Sequence, residues 1–353
     1  MFSRPSRIDS APSRRPRSGI VSIALILVFA AAEALSVRSA LAARTTAVTP
    51  SFTQVGRYRL QSHPWVNLHQ RLMYEARFDD AAPLPVSGPD LENWKRAVDA
   101  YRAFVGNRSP IFDRELIAMN DALATTAARD LAGKMPGSVP QAAAKALAAA
   151  MPIYRAVQWE ADDRANRFWI AVAEPLLASA GEELVEAHAK AYGTPFPKRI
   201  LVDVTSFAWE FGSYTVGGAE NAHAVIASIV PGNQGFASLE MLMHEPSHAI
   251  VDSDSGAIGP DIVRAAAELG VDPPRALWHA ILFYTSSELT RRALAARGVP
   301  DYHMIVKDMY ARGFRGYQQA LESHWQGYLD GKLSREDAIR RIVNDTAAPK
   351  KAP

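Results

Sequence analysis

The hydrophobic period of the chain changes from helical to alternating near residue 195, and that change limits what it can fold into. From about residue 61 to 195 apolar side chains recur every three or four positions, as one face of an α-helix requires. Trp94, Val98, Tyr101 and Val105 share a face over 91–105, and Leu116, Met119 and Leu123 do so over 114–131. Residues 141–151 are alanine-rich and strongly helix-forming. A long helical stretch follows over 154–192, with a kink expected at Pro175. Gly193-Thr-Pro-Phe-Pro197 stops it, and a domain boundary is expected there.

Beyond that stop the pattern alternates. Residues 199–205 are β-branched, and 212–216 and 223–229 predict two further strands separated by the turn around Gly217-Gly218. Helices are expected again over 237–251, 258–269, 273–296, 303–328 and 335–345, the last one capped by Ser334. The expected fold class is α+β and predominantly helical: a helical domain over 61–195, then a small antiparallel or mixed sheet with helices over 196–346. Residues 43–60 are expected to be a loose leader and 347–353 a frayed tail.

The chain begins with an address. Arg4, Arg7, Arg14, Arg15, Arg17 and Arg38 face only Asp9 and Glu33 within residues 1–42. They lead into an apolar run over 20–32, shorter than the roughly 20 residues a membrane-spanning helix needs. Ala40-Leu41-Ala42 follows as an A-x-A site, so 1–42 is expected to be a signal peptide. The mature protein is then exported, to a bacterial periplasm or outside the cell, with no stable membrane span. Those arginines account for the formal charge of +2, and the rest of the chain offers no basic footprint for nucleic acid. The 353 residues include no cysteine, which excludes disulfides, thiolate metal sites and a cysteine nucleophile. Any metal must be held by histidine, carboxylate or carbonyl groups.

One segment carries chemistry. His244-Glu245-Pro246-Ser247-His248 is an H-E-x-x-H motif. Residues four apart on a helix lie about 40° apart around the axis and about 6 Å along it, so two imidazoles converge on one ion. Zn2+ is the expected ion, with Glu245 as general base toward the water it activates. Flanking Met241, Leu242, Ala249 and Ile250 mark the helix as buried, where unpartnered histidines are costly.

These residues resemble the zincin metallopeptidases over about 90 residues, from the strands to Ser287-Glu288. The resemblance implies an edge strand beside the site, His244 and His248 as ligands and Glu245 as base. In the glutamate branch, the gluzincins, a glutamate on a later helix is the third ligand. Glu288, 40 positions after His248, matches that role, and Tyr284 one turn earlier is the expected oxyanion partner. A pairing of Glu288 with Arg292 at i, i+4 is the competing expectation. His279 is a rival third ligand, but it lies nine residues before Glu288, near the opposite helical face, and is expected to pack behind the ligands or in the core. Asp252 and Asp254 are expected to be loop acids or partners of a ligand imidazole. His303 and His324 are weaker candidates at the site, and His63 and His69 are expected to be structural.

The motif departs from the zincin pattern at Pro246, which lacks the N–H owed to the Leu242 carbonyl. Either the helix kinks there, or its regular part starts late with Pro246 in the first turn. The expected function is a zinc-dependent peptidase acting on a peptide or protein. The alternative is a non-catalytic periplasmic protein that binds a metal or substrate on a degenerate peptidase fold.

Overall fold

The computed structural model describes residues 52–78, 81–126, 135–252 and 256–347. The expected signal peptide, Asp254 and nearly all of the expected tail lie outside them. Strands β1 (Phe52–Val55) and β2 (Tyr58–Gln61) form a hairpin. Helices α1 (Pro64–Arg77), α2 (Gly88–Val105), α3 (Arg114–Thr125), α4 (Gln141–Val157) and α5 (Trp159–Tyr192) follow. Then come β3 (Arg199–Thr205), β4 (Ser213–Gly217) and β5 (Asn221–Ala227). Helices α6 (Ala237–Ser247), α7 (Gly259–Leu269) and α8 (Leu277–Ala295) lead to a run of short helical pieces from Ile305 to Leu329, and α9 (Arg335–Thr346) closes the chain.

The five strands make one mixed sheet in the order β1-β2-β3-β5-β4. β2, β3 and β5 run parallel in the middle, and the antiparallel β1 and β4 form the two edges. The fold is thus α+β and predominantly helical, as expected.

Two expectations about its organisation are corrected. The loose leader does not extend to residue 60, because β1 and β2 are sheet strands. Nor do the described residues divide near 195: they fall within one compact unit. The reason is β2, which pairs in parallel with β3 and so ties the start of the helical half into the sheet. Four residues of β2 are too few for alternation to stand out from the sequence around them.

Strand alternation sends successive side chains to opposite faces of the sheet. Ile200, Val202 and Val204 of β3 join Leu239, Leu242 and Met243 of α6 in one core. Val225 and Ala227 of β5, with Tyr214 and Val216 of β4, join Trp65, Leu68 and Tyr154 in the other. The sheet is therefore a wall between two helical layers. The α6 layer includes α7, α8 and α9, and the opposite layer is built from α1 to α4. Pro175 lies inside a single 34-residue α5. Among the described residues no helix is long and apolar enough to cross a membrane.

Candidate metal centre

The motif helix α6 packs against α5, α8 and the sheet, and almost every residue in it is buried. Pro246 sits in its last turn, not its first, so the late-start expectation is overturned. The final turn tightens: His248, Ala249 and Ile250 donate to Glu245, Pro246 and Ser247 three residues back, at 3.0–3.1 Å. Such i→i−3 bonds are a common way for a helix to finish. The Leu242 carbonyl accepts instead from the buried Tyr58 hydroxyl on β2, at 2.9 Å.

His244 and His248 point their Nε2 atoms at each other across 3.3 Å. Two nitrogens bonded to one tetrahedral zinc at about 2.0–2.1 Å sit about 3.3–3.4 Å apart, so this pair already has ligand spacing. The third member of the cluster is His279, in the first turn of α8. One ligand atom from each of His244, His248 and His279 lies within 4.8 Å of the others, so the three could hold a metal ion. Buried His279 Nε2 and His244 Nδ1 have no hydrogen-bond partner among the described residues. A buried nitrogen left without a partner is costly, and an ion accepting the His279 lone pair would remove one such cost.

Aromatic rings enclose the cluster. Phe283 packs against His244 at a tilt, with centroids 4.0 Å apart. Trp278 stacks on His279 at 5.0 Å and meets His248 edge-on. Phe314 meets His279 edge-on at 5.6 Å. Loss of water around the rings lowers all three histidine pKa values: His248 to about 3, His279 to about 4 and His244 well below the ordinary value. Neighbouring imidazoles add to this for His244 and His248. Neutral imidazole is the form that ligates metal.

Glu245 is 2% exposed and faces the edge strand. Its Oε2 accepts from the Thr215 hydroxyl of β4 at 2.8 Å. Burial raises its pKa to about 7, against the opposing effect of hydrogen bonds from Ser213 and Thr215. A carboxyl group with that pKa takes up and releases protons near neutrality.

The third-ligand expectation is corrected. Glu288 lies outside the histidine cluster, its carboxylate gripped by Arg291 on both oxygens at 2.7 Å and by Arg292 at 2.8 Å. His279 and Glu288 lie on opposite faces of α8, and it is His279 that faces the motif. Tyr284 goes with Glu288, donating to Gln326 Oε1 at 2.7 Å and not to the cluster. The other histidines also lie elsewhere. His63 meets the Thr126 carbonyl and His69 the Tyr101 hydroxyl. His303 pairs with Asp308 and His324 with Asp345. Asp252 accepts from the Gly256 N–H at 2.7 Å.

Residues missed in the sequence had a partial signal. His279 and Phe283 are i, i+4, while Glu288 already has arginines at i+3 and i+4. Thr215 carried none, because its contact with Glu245 arises only when β4 lies beside α6.

The fold and site together define an α+β protein with a three-histidine cluster, one ring buried and two half-buried, that could hold a metal ion, and with Glu245 next to His244 in the chain. No protein-family model matches the chain, and no curated protein or solved structure is detectably similar to it.

Proposed function

We propose that this chain is an exported zinc-dependent hydrolase, a peptidase of the H-E-x-x-H type, with His244, His248 and His279 holding the metal. The observation that carries this reading is the meeting of three imidazoles beside Glu245. A zinc ion bound there supplies Lewis acidity and lowers the pKa of its water toward neutrality. Glu245 takes a proton from the attacking water and returns it to the leaving amine. Thr215 and Ser213 hold the carboxylate in place for that transfer. The aromatic rings of Trp278, Phe283 and Phe314 keep water away from the imidazoles. β4, at the sheet edge, offers an extended peptide a strand to pair with. Export rests on the arginine-rich start, apolar run and A-x-A site at the chain's beginning.

One observation favours a second reading, a metal- or substrate-binding protein without catalysis: the Glu245 carboxylate is already engaged by the Thr215 hydroxyl of β4. Glu245→Gln separates the two. For a hydrolase the variant keeps its metal and loses cleavage of an unstructured protein such as casein by at least about a hundredfold. Metal-loaded wild-type protein that cleaves neither casein nor a mixed peptide library supports the binding protein.

A further inference from the structure

The face of the sheet turned away from the metal cluster holds a second constellation. The registers Arg59↔Leu201, Leu201↔His223 and Val216↔His223 set Arg59, Leu201, His223 and Val216 in one row across four strands. The row before it contains Arg199 and Asn221, paired with each other. These side chains floor a cavity of about 470 Å³, walled on one side by Asp121, Ala124 and Thr125 of α3. That volume is in the range of small-molecule sites.

Its charges are arranged unequally. His223 is clamped at both nitrogens, by Asp121 at 2.6 Å and by Asp203 at 2.8 Å. The second Asp203 oxygen accepts from Gln61 at 2.9 Å. The two acids are thus turned on the imidazole ring. Burial alone would keep His223 neutral, but these partners raise its pKa to about 9, so it is a cation at neutral pH. Arg57 pairs with Glu182. Arg59 and Arg199 have no carboxylate partner among the described residues: Arg59 lies over the Phe52 ring, and Arg199 donates to Asn221. Both of these guanidinium-bearing residues line the cavity, and with an apolar floor of Leu201, Val216 and Ala124 they fit a ligand that carries an anionic group on an apolar body.

We propose that this cavity binds a small organic oxyanion, a carboxylate or phosphate monoester with an apolar body, its charged end on Arg59 and Arg199 and its body against Leu201, Val216 and Ala124. The site is separate from the metal cluster, which lies on the other side of the sheet. A guanidinium fork suits both oxyanions.

Calorimetric titration of the full-length protein with benzoate and with phenyl phosphate, at fixed ionic strength, tests this. Saturable binding of at least one probe is expected, and the tighter one identifies the oxyanion type. Arg59→Gln/Arg199→Gln should weaken it at least about tenfold. Thr125→Trp, which fills the cavity without changing charge, should also weaken it, and His244→Ala should leave it unchanged. The far-ultraviolet circular dichroism of each variant should match the parent. No saturable binding of either probe overturns the proposal, as does binding that survives both cavity variants. Failure of hydrolysis would not touch it.

Discussion

The hydroxyl of Tyr58 donates to the Leu242 carbonyl, the one that Pro246 leaves without its helical donor. A strand residue 184 positions before Leu242 thus completes the hydrogen bonding of the motif helix. An unpaired carbonyl in this core would cost about 1–3 kcal/mol. The proline is therefore compatible with an ordered site: the helix ends one residue later, and His248 keeps helical dihedral angles beyond it.

A double-mutant cycle reads that relationship out. Tyr58→Phe alone should destabilise the protein by about 1–3 kcal/mol. In a Pro246→Ala background the restored backbone N–H can serve Leu242, so the same tyrosine change should cost less, by on the order of 1 kcal/mol. Equal costs in both backgrounds, measured by urea unfolding, would show that Tyr58 acts only through packing.

Thr215 makes a prediction about pH for the proposed hydrolase. Its hydroxyl stabilises the charged form of Glu245 and so lowers that pKa. Thr215→Val removes the donor, and the pKa rises. The acid limb of the kcat/KM profile should move to higher pH, by roughly half a unit to one unit. An unmoved or lowered limb would mean that another group sets it.

His223 gives stability a pH dependence of known sign. Its folded pKa is about 9 and its ordinary value 6.5. The stabilisation is therefore fully present below pH 6.5 and is lost as pH rises through about 9. The stability difference between wild type and His223→Gln should be largest near pH 6 and shrink by pH 10. A constant difference in urea unfolding across that range would rule out a charged clamp.

What the sequence revealed follows from how far each interaction reaches along the chain. β3 was legible to the residue because seven positions alternate and a glycine-proline stop precedes them. The start of α6 was legible as well, but its end was placed four residues late, since only the fold shows the proline turn closing it. Helix geometry correctly set His279 and Glu288 on opposite faces of α8. Which face looks toward the motif depends on packing between α6 and α8, and single-helix periodicity is blind to that. The same limit hid Tyr58, Thr215 and the His223 clamp, whose partners lie 20 or more positions away.

The central claim is that His279, not Glu288, completes the metal centre. Metal content of the purified protein tests it directly, by elemental analysis after dialysis against trace zinc. About one zinc per chain is expected in the wild type and in Glu288→Gln, with loss from His279→Ala as complete as from His244→Ala. Zinc retained in His279→Ala but lost from Glu288→Gln would contradict the account, and a wild-type protein that binds no metal would end it.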